Sequence, residues 1–354
     1  MAAFGPRLRN DVANALPDQL GLRAAVANRE LAELLRLVVA EVHGCLAHDV
    51  RRVPYSLRAR CECLQRERLA AAMTLDQQST TPAPEASYDR YAEAYRDWWA
   101  PVIAPSAIRL LDRLDGLLPS DRPSTVVDIG AGTGTLALAA LERWPNVRVI
   151  GVDPARRMLD LAMDAARHAG YHDRLSVRVG DAAGLPIPDA TIDGAMSSFV
   201  IQLTPNRAAA VREAFRVLRP GGVFACLAWR AEEDPFEPEA AFDKALDELD
   251  IDPPEAGSGN GTRPYASPGS AAAELRRAGF RSVRAREEWL EHRYTPRSYL
   301  DVLEHWIEDA TFESLDEPMR RRLRADVLRR LERLDPDALV WRRPLVSVVG
   351  RRPC

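Results

Sequence analysis

The sequence predicts a doubly wound α/β protein, a mostly parallel seven-stranded sheet with helices on both faces. Three observations carry that expectation. From Thr125 onward, short apolar runs alternate with helical patterns at the pitch of right-handed βαβ units. The runs are near-continuously apolar, as strands covered on both faces must be. Five such runs precede position 230 and two more follow it.

Taken in order, residues 1–72 read as an N-terminal helical extension. "LRAAVANRELAELLRLVVAEVHGCLAHDV" sets Leu31, Leu34, Leu35, Val38, Val39 and Val42 at helical spacing, and "SLRARCECLQRERLAAAM" is a second, shorter candidate. Met73 precedes the polar stretch "TLDQQSTTPAPEAS", so the extension is either an appended element or the product of a start assigned too far upstream. Residues 73–86, with Pro82 and Pro84, form a linker. The main domain spans 87–354, with a core at 87–232 and a second part, 233–354, that completes the sheet.

Within the core, "SYDRYAEAYRDWWAPVIAPSAIRLLDRLDGLL" gives the leading helices. A strand at Thr125–Ile129 enters a glycine turn, and a helix follows to about Trp144. "VRVIGVD" ends in Asp153, and the helix "PARRMLDLAMDAARHAG" starts at Pro154 and stops at Gly170. "LSVRVGD" ends in Asp181. "TIDGAMSSFVI" is the fourth strand, followed by a helix from about Pro205 to Leu218. "RPGG" then turns into "VFACLAW", the fifth. The stretch 231–268 is acidic and then Gly/Pro/Ser-rich, one helix plus a loop. "SAAAELRRAGF" is a helix and "RSVRAREEWLEHRY" the sixth strand. "TPRSYLDVLEHWIEDATF" and "EPMRRRLRADVLRRLERL" are one helix each, and "PLVSVVGRR" closes the sheet.

Composition narrows the function classes. The 354 residues are 46% hydrophobic and 28% charged, with a formal charge of −4, so nothing pulls the chain toward nucleic acid or an anionic membrane. Lys244 is the only lysine; the arginine excess reads as a coding bias, since no basic cluster stands clear of acidic neighbours. Cys45, Cys61, Cys63, Cys226 and Cys354 are odd in number and scattered, unlike a disulfide framework. "MAAFGPRLRNDVANALPDQL" holds no apolar signal core, and Glu33, Arg36 and Glu41 interrupt "LAELLRLVVAEV". These features point to the cytoplasm and to no membrane span. His43, Cys45, His48, Cys61 and Cys63 invite a zinc reading. Cys61 and Cys63 on one helix would point about 200° apart, however, and the spacing fits no finger. No metal is expected.

The densest chemical signal is "VVDIGAGTGTLALAA", Val126 to Ala140. A phosphate loop of the Gly-x4-Gly-Lys type needs a lysine, which is missing here. A dinucleotide turn needs G-x-G-x-x-G; Gly130, Gly132 and Gly134 are spaced one residue short of it. Asp128 stands two residues before the first glycine, where it would repel a pyrophosphate. A ligand bearing an ammonium or sulfonium would instead be attracted, by about 1–4 kcal/mol at about 4 Å. The pattern therefore favours a cationic, phosphate-free adenosyl ligand. Asp153, 19 positions after Gly134, can accept ribose hydroxyls, and Asp181 with the Ala182 amide can meet an adenine. All three acids end successive strands, where open α/β sheets bind ligands.

"VVDIGAGTG", "GVDPARRML", "GDAAGLPIPDATIDGAMSSFVI" and "LRPGGVFACLAW" together resemble the ordered motifs of class I S-adenosylmethionine-dependent methyltransferases. The nearest likeness is to the UbiE-like, type 11 group, over residues 86–232. The lead-in "YDRYAEAYRDWW" resembles that group's helix over the cofactor. The resemblance implies a Rossmann-like fold, S-adenosylmethionine as cofactor and methyl transfer to a small organic acceptor. It places Asp128, Gly130, Ala131, Gly132 and Gly134 at the methionine end. Asp153, Pro154 and Met158 would hold the ribose and flank the adenine, Asp181 and Ala182 the adenine itself, and Ser197 would lie near the methyl. Met158 reads equally as helix packing.

Tyr88, Tyr91, Tyr95, Trp98 and Trp99 read equally as a packing face or, as the resemblance implies, a lid that would bring Tyr95 nearest the sulfonium. Many members of the group it resembles carry a histidine or aromatic after the fourth strand; here the stretch reads "SSFVIQLTP", with Gln202 in that region, which speaks against a histidine-assisted mechanism. Histidine bases would have to be His292 or His305, each also readable as a surface or packing residue. The segment 296–335 would shape the acceptor pocket, and 231–268 would form a wall or gate. Two other readings remain: a non-catalytic module that binds the cofactor or its product, and a nicotinamide-dependent oxidoreductase.

Overall fold

The computed structural model describes residues 88–231, 235–254 and 263–354. The expected N-terminal extension, the linker, and the group His43, Cys45, His48, Cys61 and Cys63 lie outside the described residues.

The sheet contains β1 (Ser124–Ile129), β2 (Val147–Asp153), β3 (Leu175–Val179), β4 (Ile192–Ser198), β5 (Leu218–Trp229), β6 (Arg281–Arg293) and β7 (Val340–Arg351). Their spatial order is β3-β2-β1-β4-β5-β7-β6. The first five are parallel, and β7 runs antiparallel between β5 and β6. Strand order reverses between β1 and β4. In an open sheet of this kind the ligand crevice lies beyond the carboxyl ends at that reversal, which directs attention to the residues after Ile129 and after Ser198.

The helices are α1 (Ala100–Arg109), α2 (Thr135–Arg143), α3 (Arg156–His168), α4 (Arg207–Val217), α5 (Glu237–Leu249), α6 (Pro268–Arg277), α7 (Pro296–Val302), α8 (Asp309–Ser314) and α9 (Glu317–Leu331). Successive residues of one strand face opposite layers, and both layers are apolar. Val126 packs with Ile103 and Ala107 of α1 and Leu136 and Leu141 of α2. Its neighbour Val127 packs with Val211 and Ala214 of α4 and Leu275 of α6. A third core gathers Phe242 and Leu246 of α5 with Tyr299, Leu323 and Val327 from the helices between β6 and β7. The exposed edge strand β6 carries Arg284, Arg286, Glu287 and Glu291, charges that guard its free edge against pairing. Among the described residues no helix is long and apolar enough to cross a membrane.

Two local expectations are corrected. "RPGG" is not a turn before β5 but a bulge within it: pairing steps from Ile192↔Leu218 to Gly194↔Val223, and Gly221 takes φ +79°. "TPRSYLDVLEHWIEDATF" is not one helix. It divides into α7, a π-helical turn at Leu303–Ile307, and α8. A second π-helical turn, Tyr95–Trp99, joins the short Ala92–Ala94 helix to α1. There the Ala100 amide reaches back to the Tyr95 carbonyl, and the next residue, Pro101, has no N–H to continue the tighter ladder.

Candidate active site

The turn after β1 is built by three glycines in the left-handed region. Gly130, Gly132 and Gly134 have φ of +75°, +52° and +88°. A Cβ on Gly130 would lie 2.2 Å from a methyl of Val200, and one on Gly134 would lie 2.9 Å from the Ala162 Cβ. The loop is thus clamped between the segment after β4 and α3.

Four of its amides are spoken for. Gly130 and Ala131 donate to the Val152 carbonyl at 2.7 and 3.0 Å, and Gly134 donates to the Ala131 carbonyl at 2.9 Å. Gly132 donates to Asp153 Oδ2 at 2.9 Å. A phosphate cradle needs free amides; here four of the turn's N–H groups are satisfied within the protein. Asp153 Oδ1 also accepts from the Ala155 amide at 2.9 Å, so one carboxylate ties the glycine turn to the start of α3. Burial raises its pKa, the two amides oppose that, and the Asp89 charge adds to the rise.

Asp128 is the contrasting group. It is 1% exposed, and neither carboxylate oxygen has a hydrogen-bond partner. Burial, helped by the Asp153 charge, pushes its pKa up to about 8; the Ala137 backbone, not in hydrogen-bonding geometry, opposes weakly. A buried carboxylate without a partner costs about 1–3 kcal/mol or more. It is accounted for if a cation completes it.

The lead segment covers this turn. Asp89 accepts from the Arg157 amide at 2.6 Å, at the positive end of α3, and Glu93 pairs with the Arg157 side chain, Nε at 2.7 Å. Tyr88 and Tyr95 pack on Ala155, Met158 and Leu161. Tyr95 Cε1 stands 3.9 Å from where a Gly132 Cβ would be. Burial, reinforced by Tyr88, Asp153 and Asp128, raises the Tyr95 pKa well above its ordinary value. Its hydroxyl is therefore a neutral donor and no base.

Beyond Tyr95 an aromatic arc continues along the carboxyl edge of the sheet. Trp306 meets Tyr95 at 5.4 Å and Trp99 at 6.3 Å; Trp99 meets Trp341 at 5.6 Å; Trp341 meets Trp229 at 5.8 Å; Trp229 meets Phe199 at 4.7 Å. Both π-helical turns contribute to it. Phe199 adopts φ +59°, a strained backbone of the sort that gathers at functional sites.

Two of the expected residues are taken up by a backbone tie and by packing. Ser197 is fully buried and its hydroxyl donates to the Ile129 carbonyl at 2.8 Å, so it ties β4 to β1 instead of facing a ligand. Met158 is buried in the packing under Tyr88 and Tyr95. Pro154 lies between Asp153 and α3. Asp181 is exposed and accepts from the Ala183 amide at 2.5 Å, while Ala182 is buried. His305 stacks on Trp98 at 4.8 Å, beside Tyr91, and it is Trp306 that reaches Tyr95. His292 pairs with Trp341 across β6 and β7, and burial lowers its pKa. Among the described residues, no histidine is among the charges that act on Asp128 or Asp153. The latch residues Asp89 and Glu93 and the tryptophans 229, 306 and 341 escape sequence reasoning. The only signal for the latch was an acidic residue on each turn of the lead segment.

Comparison with known proteins fits this geometry. A methyltransferase domain family matches residues 126–222. The nocamycin O-methyltransferase of Saccharothrix syringae is 32% identical, over 58% of this chain and 75% of that protein. The malonyl-[acyl-carrier protein] O-methyltransferase of Geobacter sulfurreducens is 31% identical, over 57% and 69%. The chain belongs to the class I S-adenosylmethionine-dependent methyltransferases. It spans only part of some curated members, such as 58% of the 27-O-demethylrifamycin SV methyltransferase of Amycolatopsis mediterranei, at 31% identity. In two further relatives it spans 39% and 41%. The residues present fit the family's cofactor: an unpartnered buried carboxylate suits its cationic end, and a glycine turn with satisfied amides suits a ligand without phosphate.

Proposed function

We propose that the protein transfers a methyl group from S-adenosylmethionine to a small organic acceptor, by O-, N- or C-methylation. The observation that carries this reading is Asp128, a buried carboxylate with no partner beside a glycine turn whose amides are occupied. When bound, the cofactor supplies a methyl group already activated on a sulfonium. The chain's part is then binding, alignment and exclusion of water.

In this reading Asp128 holds the ammonium end, while Gly130, Ala131, Gly132 and Gly134 shape the floor. Asp153 faces the ribose while fixing the glycine turn, and Pro154, Asp181 and Ala182 border the adenine. Tyr95 and the lead segment close over the site, latched by Asp89 and Glu93 onto α3. The aromatic arc from Trp306 to Phe199 is the wall against which an acceptor lies. With no histidine acting on the Asp128–Asp153 pair and Tyr95 held neutral, an acceptor that is already ionised or enolised suits the site. The same reading takes the protein as cytoplasmic, with a small molecule and no nucleic acid as partner.

Calorimetric titration with S-adenosylhomocysteine and with NAD tests it. The thioether is expected to bind and NAD not to, and Asp153→Ala is expected to weaken the thioether by about 1–3 kcal/mol. Tight binding of NAD alone would return the oxidoreductase reading. An intact thioether site on a protein that methylates no acceptor would favour the non-catalytic module.

A further inference from the structure

Among the described residues, two buried side chains have both polar atoms without a hydrogen-bond partner: Asp128 and Gln202. Each is 1% exposed. An apolar residue at position 202 would avoid the cost of about 1–3 kcal/mol that a buried, unpaired amide carries. Its backbone is well anchored. The segment after β4 makes a 3₁₀ turn at Ile201–Leu203, and the Gln202 carbonyl accepts from the Arg263 amide at 2.8 Å. The side chain is therefore held in place with nothing to bind.

Position makes the pair suggestive. Asp128 aligns with Met196 across β1 and β4, at the strand-order reversal. Val200, two residues before Gln202, lies against Gly130, two residues after Asp128. Asp128 and Gln202 thus each stand two residues along the chain from one contact, Val200 on Gly130. One is an acceptor suited to a cation. The other offers two N–H donors and a carbonyl, suited to an anion beside that cation.

We infer that Gln202 is a positioning residue for the amino-acid end of the cofactor: its Nε2 donates to the carboxylate of the methionine moiety while Asp128 takes the ammonium. This rests on the cofactor reading above. A neutral amide grips a carboxylate without adding a charge or a titrating group to the site.

The test uses two ligands on the full chain, measured by calorimetry. S-adenosylhomocysteine carries the whole amino-acid end; S-adenosyl-3-thiopropylamine keeps the ammonium and lacks the carboxylate. The wild type is expected to prefer the former by about tenfold. Gln202→Leu is expected to lower the affinity for S-adenosylhomocysteine by about tenfold and leave the amine within about twofold. Gln202→Met repeats the measurement should the leucine variant fail to fold. Three results would each overturn the inference: a wild type without the preference, a variant that binds S-adenosylhomocysteine as tightly as wild type, or an equal loss for both ligands. A wild type that binds neither removes the cofactor reading and this one with it.

Discussion

Two buried aspartates on neighbouring strands, at opposite ends of the sheet, have opposite fates. Asp193, at the amino end of β4, is 4% exposed. It accepts from the Thr125 amide at 2.8 Å and from Arg219 at 2.7 Å, and it pairs with Arg122 as well. Burial raises its pKa, but the two arginines and the amide outweigh that and hold it below the ordinary carboxylate value. Asp128, at the carboxyl end of β1, is as deeply buried and has none of this. A carboxylate that serves the fold is completed by the fold. In the proposed reading, one left open at the strand-order reversal is completed by what binds there.

The contrast predicts separable consequences. Asp193→Ala leaves the Thr125 amide unpaired and frees two arginines that are themselves partly exposed. A loss of about 2–3 kcal/mol in urea unfolding is expected, with the affinity for S-adenosylhomocysteine unchanged. A variant as stable as wild type would break the comparison at that end.

Asp128 has the reverse sign. Its folded pKa, about 8, lies above its unfolded value, so the folded ligand-free protein holds a proton that the unfolded chain has released. Its contribution to stability is complete below about pH 4, declines as pH rises, and levels off above pH 8. Asp128→Asn removes this decline. Relative to wild type, the variant is expected to gain about 1 kcal/mol or more in stability between pH 5 and pH 8, one pKa unit being worth about 1.4 kcal/mol. A constant difference across that range would mean that Asp128 is ionised and satisfied.

The same two ends show why the chain was partly legible. Strands covered on both faces announce themselves as apolar runs, and a turn needing positive φ at three positions announces itself as glycines. Asp128 and Asp153 are readable because strand ends and ligand crevices coincide in this architecture. The lead segment's π-helical turn was not readable, since it depends on Pro101 together with tertiary packing. The arc of Trp99, Trp306, Trp341, Trp229 and Phe199 is spread over more than 240 positions and meets only when the sheet closes. A strand-end serine serves equally as a ligand contact or as a tie to the neighbouring strand, and the buried Ser197 hydroxyl makes the tie to Ile129.

The central claim is that Asp128 changes protonation state when the cationic end of the cofactor arrives. Titrating S-adenosylhomocysteine at pH 7 in buffers of different ionisation enthalpy counts the protons exchanged. The wild type is expected to release close to one proton per ligand bound, and Asp128→Asn to release close to none and bind at least about tenfold more weakly. Binding without proton release, or an asparagine variant that binds as tightly as wild type, would contradict the account.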